Sequence, residues 1–218
     1  MYIFLMETLL PDRDNITTHR QAKAYSQELL RRNVVEAASR LLVQEGPDAL
    51  TVRRIAKELD CSTKIIYTMF QGKDGLANAL YLEGCVRLSH AIGQVQKTST
   101  PKEYAREVAW AYWAFALTNQ SYYAVMFCGA IPNFQPSTTS IHSITTALET
   151  VVENLQSYMT QGLLPIEDPE MLTKTLWAPL HGVVSLYLLG HFSSLEVARD
   201  VFEHTVQMIM AMLGPAGP

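Results

Sequence analysis

Thr51-Val-Arg-Arg-Ile-Ala-Lys-Glu-Leu-Asp-Cys-Ser-Thr-Lys-Ile-Ile-Tyr-Thr-Met-Phe-Gln-Gly-Lys-Asp-Gly-Leu76 decides the architecture of this 218-residue chain. Val52, Ile55, Ala56 and Leu59 recur at the i, i+3, i+4, i+7 spacing that lines one face of a helix, while Arg53, Arg54, Lys57 and Glu58 fall on the others. The spacing predicts a short amphipathic helix over 52–59. Asp60-Cys61-Ser62 interrupts the pattern, and Ser62 or Thr63 offers an oxygen to cap a second helix over 63–70 with Ile66 and Phe70 inward. Lys73 stands at the start of a further helix.

Two short helices joined by a turn of about three or four residues make a helix-turn-helix unit. In that unit the second helix enters the major groove of DNA with its N-terminal residues against base edges, and the first crosses the backbone. Thr63, Lys64, Tyr67 and Thr68 are the outward, groove-facing candidates. Tyr67 either gives its hydroxyl to the DNA or packs its ring beside Phe70. Lys73 suits a phosphate, because its charge and the free amides of a helix N-terminus favour the same anion. Thr51 is a helix cap whose hydroxyl or amide can also meet phosphate, and Arg53 and Ser62 complete the set of DNA-facing candidates.

Thr51-Val-x-x-Ile-Ala, then Ser62, then Ile66-Tyr67-x-x-Phe70 and Lys73-x-x-Leu76 resemble the TetR/AcrR repressor signature. Arg31 to Gly46 resembles the first helix of that family's DNA-binding domain, with the glycine placed as a C-terminal stop. The family usually has glycine where this chain has Asp60 and commonly valine where it has Cys61. Asp visits the left-handed region at modest cost, and a thiol substitutes for a small apolar side chain. Further on, Asn119-x-x-Tyr122-Tyr123-x-x-Met126-Phe127, Gly162-Leu-Leu and Trp177-Ala-Pro-Leu-His181-Gly182-x-x-x-Leu186-x-x-x-Gly190 resemble the WHG-type C-terminal domain of one TetR-like subgroup. That second resemblance implies a ligand-binding and dimerisation domain.

Composition agrees with this division of labour. A hydrophobic content of 48% with 17% charged residues is ordinary for a chain with a substantial core, and alternating β-branched runs bounded by hairpin turns are hard to find, so the fold class expected is all-α. A net charge of −4 argues against a protein that coats nucleic acid non-specifically. The distribution matters more: residues 19–76 hold ten Lys or Arg against seven Asp or Glu, and residues 91–218 hold five against ten. Cys61, Cys85 and Cys128 are odd in number and lack metal-ligand spacing, so neither a disulfide framework nor a metal or other cofactor is expected, and a reducing cytoplasm suits them. The apolar opening Met1-Tyr-Ile-Phe-Leu-Met6 is too short for a signal-peptide core, and no apolar run approaches the roughly 20 residues that span a bilayer.

The expected organisation is a flexible extension over 1–25, a helix-turn-helix domain over 26–88, a C-terminal ligand-binding and dimerisation domain over 89–213, and a tail over 214–218. About nine helices are expected, over 27–45, 52–59, 63–70, 74–96, 102–118, 121–127, 138–161, 168–190 and 194–213. Pro179 should kink the eighth, and the apolar breadth of the last two points to a homodimer through them. Trp110, Trp113, Tyr123, Met126, Phe127, Trp177 and His181 are candidate pocket residues, because ligand cavities are mostly hydrophobic with few polar anchors; each is otherwise plain core.

Ser185 stands four residues after His181 but lacks an evident third group or oxyanion device, so no catalytic residue is assigned. The expected function is a non-enzymatic regulator that binds a palindromic double-stranded operator and is released by a small apolar effector. A ligand-independent or activating regulator is the near alternative. An α-helical carrier or enzyme using a His181 pocket is the distant one.

Overall fold

The computed structural model describes residues 16–213, which form helices and connecting turns. The expectations for residues 1–15 and for the tail over 214–218 lie outside the described residues. The chain divides into two compact units at Ala79/Leu80.

The first unit opens with α1 (His19–Glu45). This helix begins eight residues before the expected start at 27, because Thr18 and Gln21 form a reciprocal capping box: Thr18 Oγ1 accepts from the Gln21 amide and Gln21 Oε1 accepts from the Thr18 amide. Its first buried residue is nevertheless Val34, so residues 19–33 form a helical stretch with no fully buried side chain. Gly46, at φ 81, ends it. After a 3-10 turn (Pro47–Ala49) come α2 (Val52–Glu58) and α3 (Thr63–Phe70). Val34, Ala38, Leu41, Ile55, Ile66, Phe70 and Leu76 make the core of this small unit.

α4 (Lys73–Gly93) carries the chain across the boundary. Past that division Tyr81, Gly84 and Arg87 find partners later in the chain: Tyr81 packs on Phe134, Gly84 meets Met126, and Arg87 donates to Asn119 Oδ1 at 3.1 Å with its guanidinium 4.1 Å from the Tyr122 ring centre. The second unit continues with α5 (Pro101–Thr118), α6 (Gln120–Phe127), α7 (Thr138–Ala147), α8 (Glu149–Thr160), α9 (Pro169–Leu188) and α10 (Leu195–Met212). The helix expected over 138–161 is two helices. Leu148, at φ −101 and ψ 2, leaves helical geometry, and its amide is shared among the carbonyls of Ile144, Thr145 and Thr146.

α9 packs against α5, α6, α8 and α10, and is the centre of this unit. Asp168 caps it by accepting from the amides of Glu170 and Met171, and the helix runs on through Pro179. No helix among the described residues is long and apolar enough to cross a membrane.

Candidate nucleic-acid interface and buried cavity

The small unit presents one face of α3 outward. Ile66 and Phe70 are buried as its apolar spacing requires, which leaves Thr63, Lys64, Tyr67 and Thr68 exposed; Tyr67 is 56% exposed and does not pack away into the core. Thr68 turns its hydroxyl back to the Lys64 carbonyl at 2.8 Å. Ser62 holds the N-cap position with extended backbone, but its side chain makes no cap bond and is exposed. At α2 the expected cap is formed: Thr51 Oγ1 accepts from the Arg54 amide at 3.1 Å. Arg53 projects to solvent, whereas Arg54 is held between Glu45 at 2.6 Å and Glu58 at 2.9 Å, clamping the end of α1 to α2. The hydrogen bond from Arg54 holds the Glu45 carboxyl below its ordinary range.

The α2–α3 turn depends on Asp60, which stands at φ 48 in the left-handed region where the family pattern has glycine. At the other end of α3, Gln71 and Gly72 both have positive φ, and Lys73 begins α4 at once. Two residues reverse the chain there, so Lys73 and the exposed face of α3 belong to one small rigid piece.

In the second unit, hydroxyl and imidazole groups meet inside an aromatic shell. Tyr123 Oη lies 2.8 Å from His181 Nδ1 and Tyr112 Oη lies 3.0 Å from it. The two hydroxyls are 3.1 Å apart, and Ser185 Oγ is 3.1 Å from Tyr123 Oη and 3.3 Å from His181 Nε2. A neutral imidazole carrying its proton on Nε2 allows a chain in which Tyr112 donates to Tyr123, Tyr123 to Nδ1, and Nε2–H to Ser185, whose own hydroxyl can donate to Tyr123, with the Tyr112 hydroxyl beside Nδ1 but not bonded to it. Burial lowers the His181 pKa and pushes that of Tyr123 up to about 12, so both groups favour the neutral form. Phe127 and Trp177 close over the imidazole at 4.8 and 5.1 Å between ring centres. The buried Trp177 indole nitrogen completes no hydrogen bond among the described residues.

Tyr112 and Trp177 also line a cavity of about 40 Å³, with Tyr104 and Val108 of α5, Leu155 of α8 and Leu176 of α9 among the other walls. No charged side chain among the described residues lines it. A few waters would fill such a volume, so a larger guest requires the lining side chains to move. Of the seven residues expected at a pocket, Trp177 lines this cavity; Tyr123, Phe127 and His181 form the polar and aromatic cluster beside it. Trp110 and Trp113 stack on Phe202, and Met126 lies against Gly84.

Residues 34–80 match the family described as bacterial regulatory proteins, tetR family, and residues 105–209 match the tetracyclin repressor-like C-terminal domain. The chain belongs to the TetR family. It is therefore a DNA-binding transcriptional regulator, a class that is not enzymatic, and the His181 cluster is not read as a catalytic relay. An HTH-type transcriptional regulator of Mycobacterium tuberculosis is 20% identical over 86% of this chain and 94% of its own length. Among solved structures, a TetR family regulator from Thermus thermophilus superposes with a TM-score of 0.60 at 21% identity, covering 80% of this chain and 97% of its own. The fatty acid degradation regulator FadR from Bacillus halodurans superposes with 0.65 at 16% identity, covering 85% and 97%. At these identities the likeness is one of fold.

Two features of this TetR-family chain escape sequence reasoning. Gly75 sits inside the motif as an unmarked residue, yet a Cβ there would lie 1.7 Å from the Phe70 carbonyl oxygen. Tyr112 reads as one more aromatic on a helix buried nearly all round, and its partner His181 is 69 residues away in the chain. A glycine within a helical pattern was the available signal for the first; the second had none.

Proposed function

We propose that this regulator is a homodimeric repressor that holds a palindromic operator and leaves it when a small, uncharged apolar ligand enters the cavity of the second unit. The observation that carries the DNA half is the division of α3 into buried Ile66 and Phe70 and exposed Thr63, Lys64, Tyr67 and Thr68. Thr63 and Lys64, in the first turn of α3, read base edges. Tyr67 and Thr68 follow along the groove, and Thr51, Arg53, Ser62 and Lys73 fix the register on phosphates.

Dimerisation through α9 and α10 is supported by the apolar residues these helices leave in solvent. Leu186, Val197, Val201, Met208 and Met212, with Leu189 just past the end of α9, are all more than a third exposed. A second copy is the economical cover for such a face. It would set two α3 helices against successive major grooves, about 34–36 Å apart.

The cavity supplies the input. Its walls exclude charge, and its small resting volume means that a bound guest must stabilise a rearranged conformation. If that conformation no longer matches both grooves, ligand and operator oppose each other by one coupling free energy. A screen of neutral apolar compounds by thermal shift tests this: a binder raises the melting temperature in proportion to its occupancy and releases the operator in the same concentration range. Binders that stabilise the fold and leave the operator complex intact would contradict release.

A further inference from the structure

The family match begins at Val34, which is also where burial begins along α1. Residues 19–33 are thus fifteen residues of helix, about 22 Å, that precede the family match and hold no fully buried side chain. They hold Arg20, Lys23, Arg31 and Arg32 against the single acid Glu28, in a chain whose overall charge is −4. Glu28 is already engaged by Arg32 at 3.4 Å.

Placement adds to composition. At about 100° per residue, Arg20, Lys23, Gln27 and Arg31 fall within one arc of about 80° on the helix. Arg31 marks where that arc begins: its guanidinium stands 5.6 Å from the ring centre of Phe70, the last, buried residue of α3. The stripe therefore starts beside the end of the groove-reading helix, close in sequence to Lys73. Lys23 and Arg20 lie about 12 and 17 Å farther along the axis. Half a turn of duplex is about 17 Å, so a stripe of this length matches about five base pairs of a duplex lying along it.

We propose that residues 19–31 are a second DNA-binding element, in which Arg20 and Lys23 engage backbone phosphates flanking each half-site. The element reads no sequence; it lengthens the footprint and adds to the electrostatic share of affinity. This inference rests on the operator-binding reading above.

The test uses the full chain and two operator duplexes, one ending at the half-site edges and one extended by ten base pairs of unrelated sequence on each side. Wild type should bind the longer duplex about tenfold more tightly, while Arg20→Ala/Lys23→Ala should bind both alike. The slope of log affinity against log salt should fall by about 0.9 for each phosphate that is no longer neutralised, so by about 3–4 for a dimer. Arg20→Lys/Lys23→Arg, which keeps the charges and the exposed positions, should behave as wild type. Equal binding of both duplexes by wild type, or an unchanged slope in the alanine variant, overturns the inference and leaves operator recognition standing. Absence of any sequence-specific complex removes the operator reading and this element with it.

Discussion

The carbonyl oxygen of Phe70 and the α-carbon of Gly75 approach so closely that a methyl group on the glycine would sit 1.7 Å from the oxygen. The contact joins the end of α3 to the first turn of α4, and the nearby atoms are backbone, which cannot swing aside. Gly75→Ala should therefore cost about 1–3 kcal/mol of stability, as overpacking does, and shift Lys73 relative to α3. Chemical denaturation and operator titration check the two effects. A variant of native stability and affinity would show that the joint is softer than this geometry.

Asp60 carries a second backbone demand. At φ 48 it occupies the left-handed region, open to Asp at modest cost and closed to β-branched residues. Asp60→Gly should change stability by no more than about 0.5 kcal/mol, since relieved strain is offset by greater freedom in the unfolded chain, and should keep operator binding. Asp60→Val should lose roughly 1–2 kcal/mol and weaken binding by altering the α2–α3 angle. Equal denaturation midpoints for the two variants would contradict this account.

His181 makes the second unit sensitive to acid. Burial lowers its pKa, so between the folded value and the ordinary 6.5 the unfolded chain binds more protons. The contribution of the neutral imidazole is complete above about pH 6.5 and declines as pH falls through that window. His181→Asn cannot titrate there. The melting temperatures of wild type and variant should be well separated at pH 8 and converge towards pH 5; parallel curves would mean that the network does not depend on a neutral imidazole. Tyr123→Phe should cost about 1–2 kcal/mol, because Tyr112, 3.0 Å from Nδ1, can take over one of the lost bonds.

Met208 and Met212 are 58% and 67% exposed on α10, and Leu186 is 45% exposed on α9. In a dimer built on these helices, Met208→Glu/Leu186→Glu places charges in a dry interface while costing the isolated protomer little. Sedimentation velocity should show a monomer for the variant at concentrations where wild type is dimeric, with operator affinity reduced by more than tenfold because paired half-sites are lost. A dimeric variant would move the interface elsewhere.

The helix-turn-helix is legible in sequence because its information is local. Val52, Ile55, Ala56, Ile66 and Phe70 repeat at helical spacing, and each is buried. The early start of α1 is equally local, since Thr18 and Gln21 carry a capping-box spacing, and reading the segment before 26 as extension passes over it. The division at Leu148 is harder, because the apolar periodicity of residues 138–161 continues across the bend and nothing like proline or glycine marks it. The His181 cluster is legible only as a list: Tyr123, Phe127, Trp177 and His181 read as candidate pocket residues, while their contacts and the part of Tyr112 do not. Its members are 58 and 69 residues apart, and only the packing of α5, α6 and α9 brings two tyrosine hydroxyls to one imidazole nitrogen. Spacing in sequence likewise marks Trp177 as aromatic without distinguishing the cavity wall from the stack on Phe202 that holds Trp110 and Trp113.

The central claim is that the exposed face of α3 reads sequence. Selection of bound duplexes from a random pool, run in parallel with wild type and with Thr63→Ala/Lys64→Ala, tests it most directly. Wild type should enrich a palindrome whose half-sites are about one helical turn apart, and the variant should enrich a different or degenerate sequence at those base pairs. Enrichment of the same palindrome by both proteins, or of no sequence by wild type, would contradict the account.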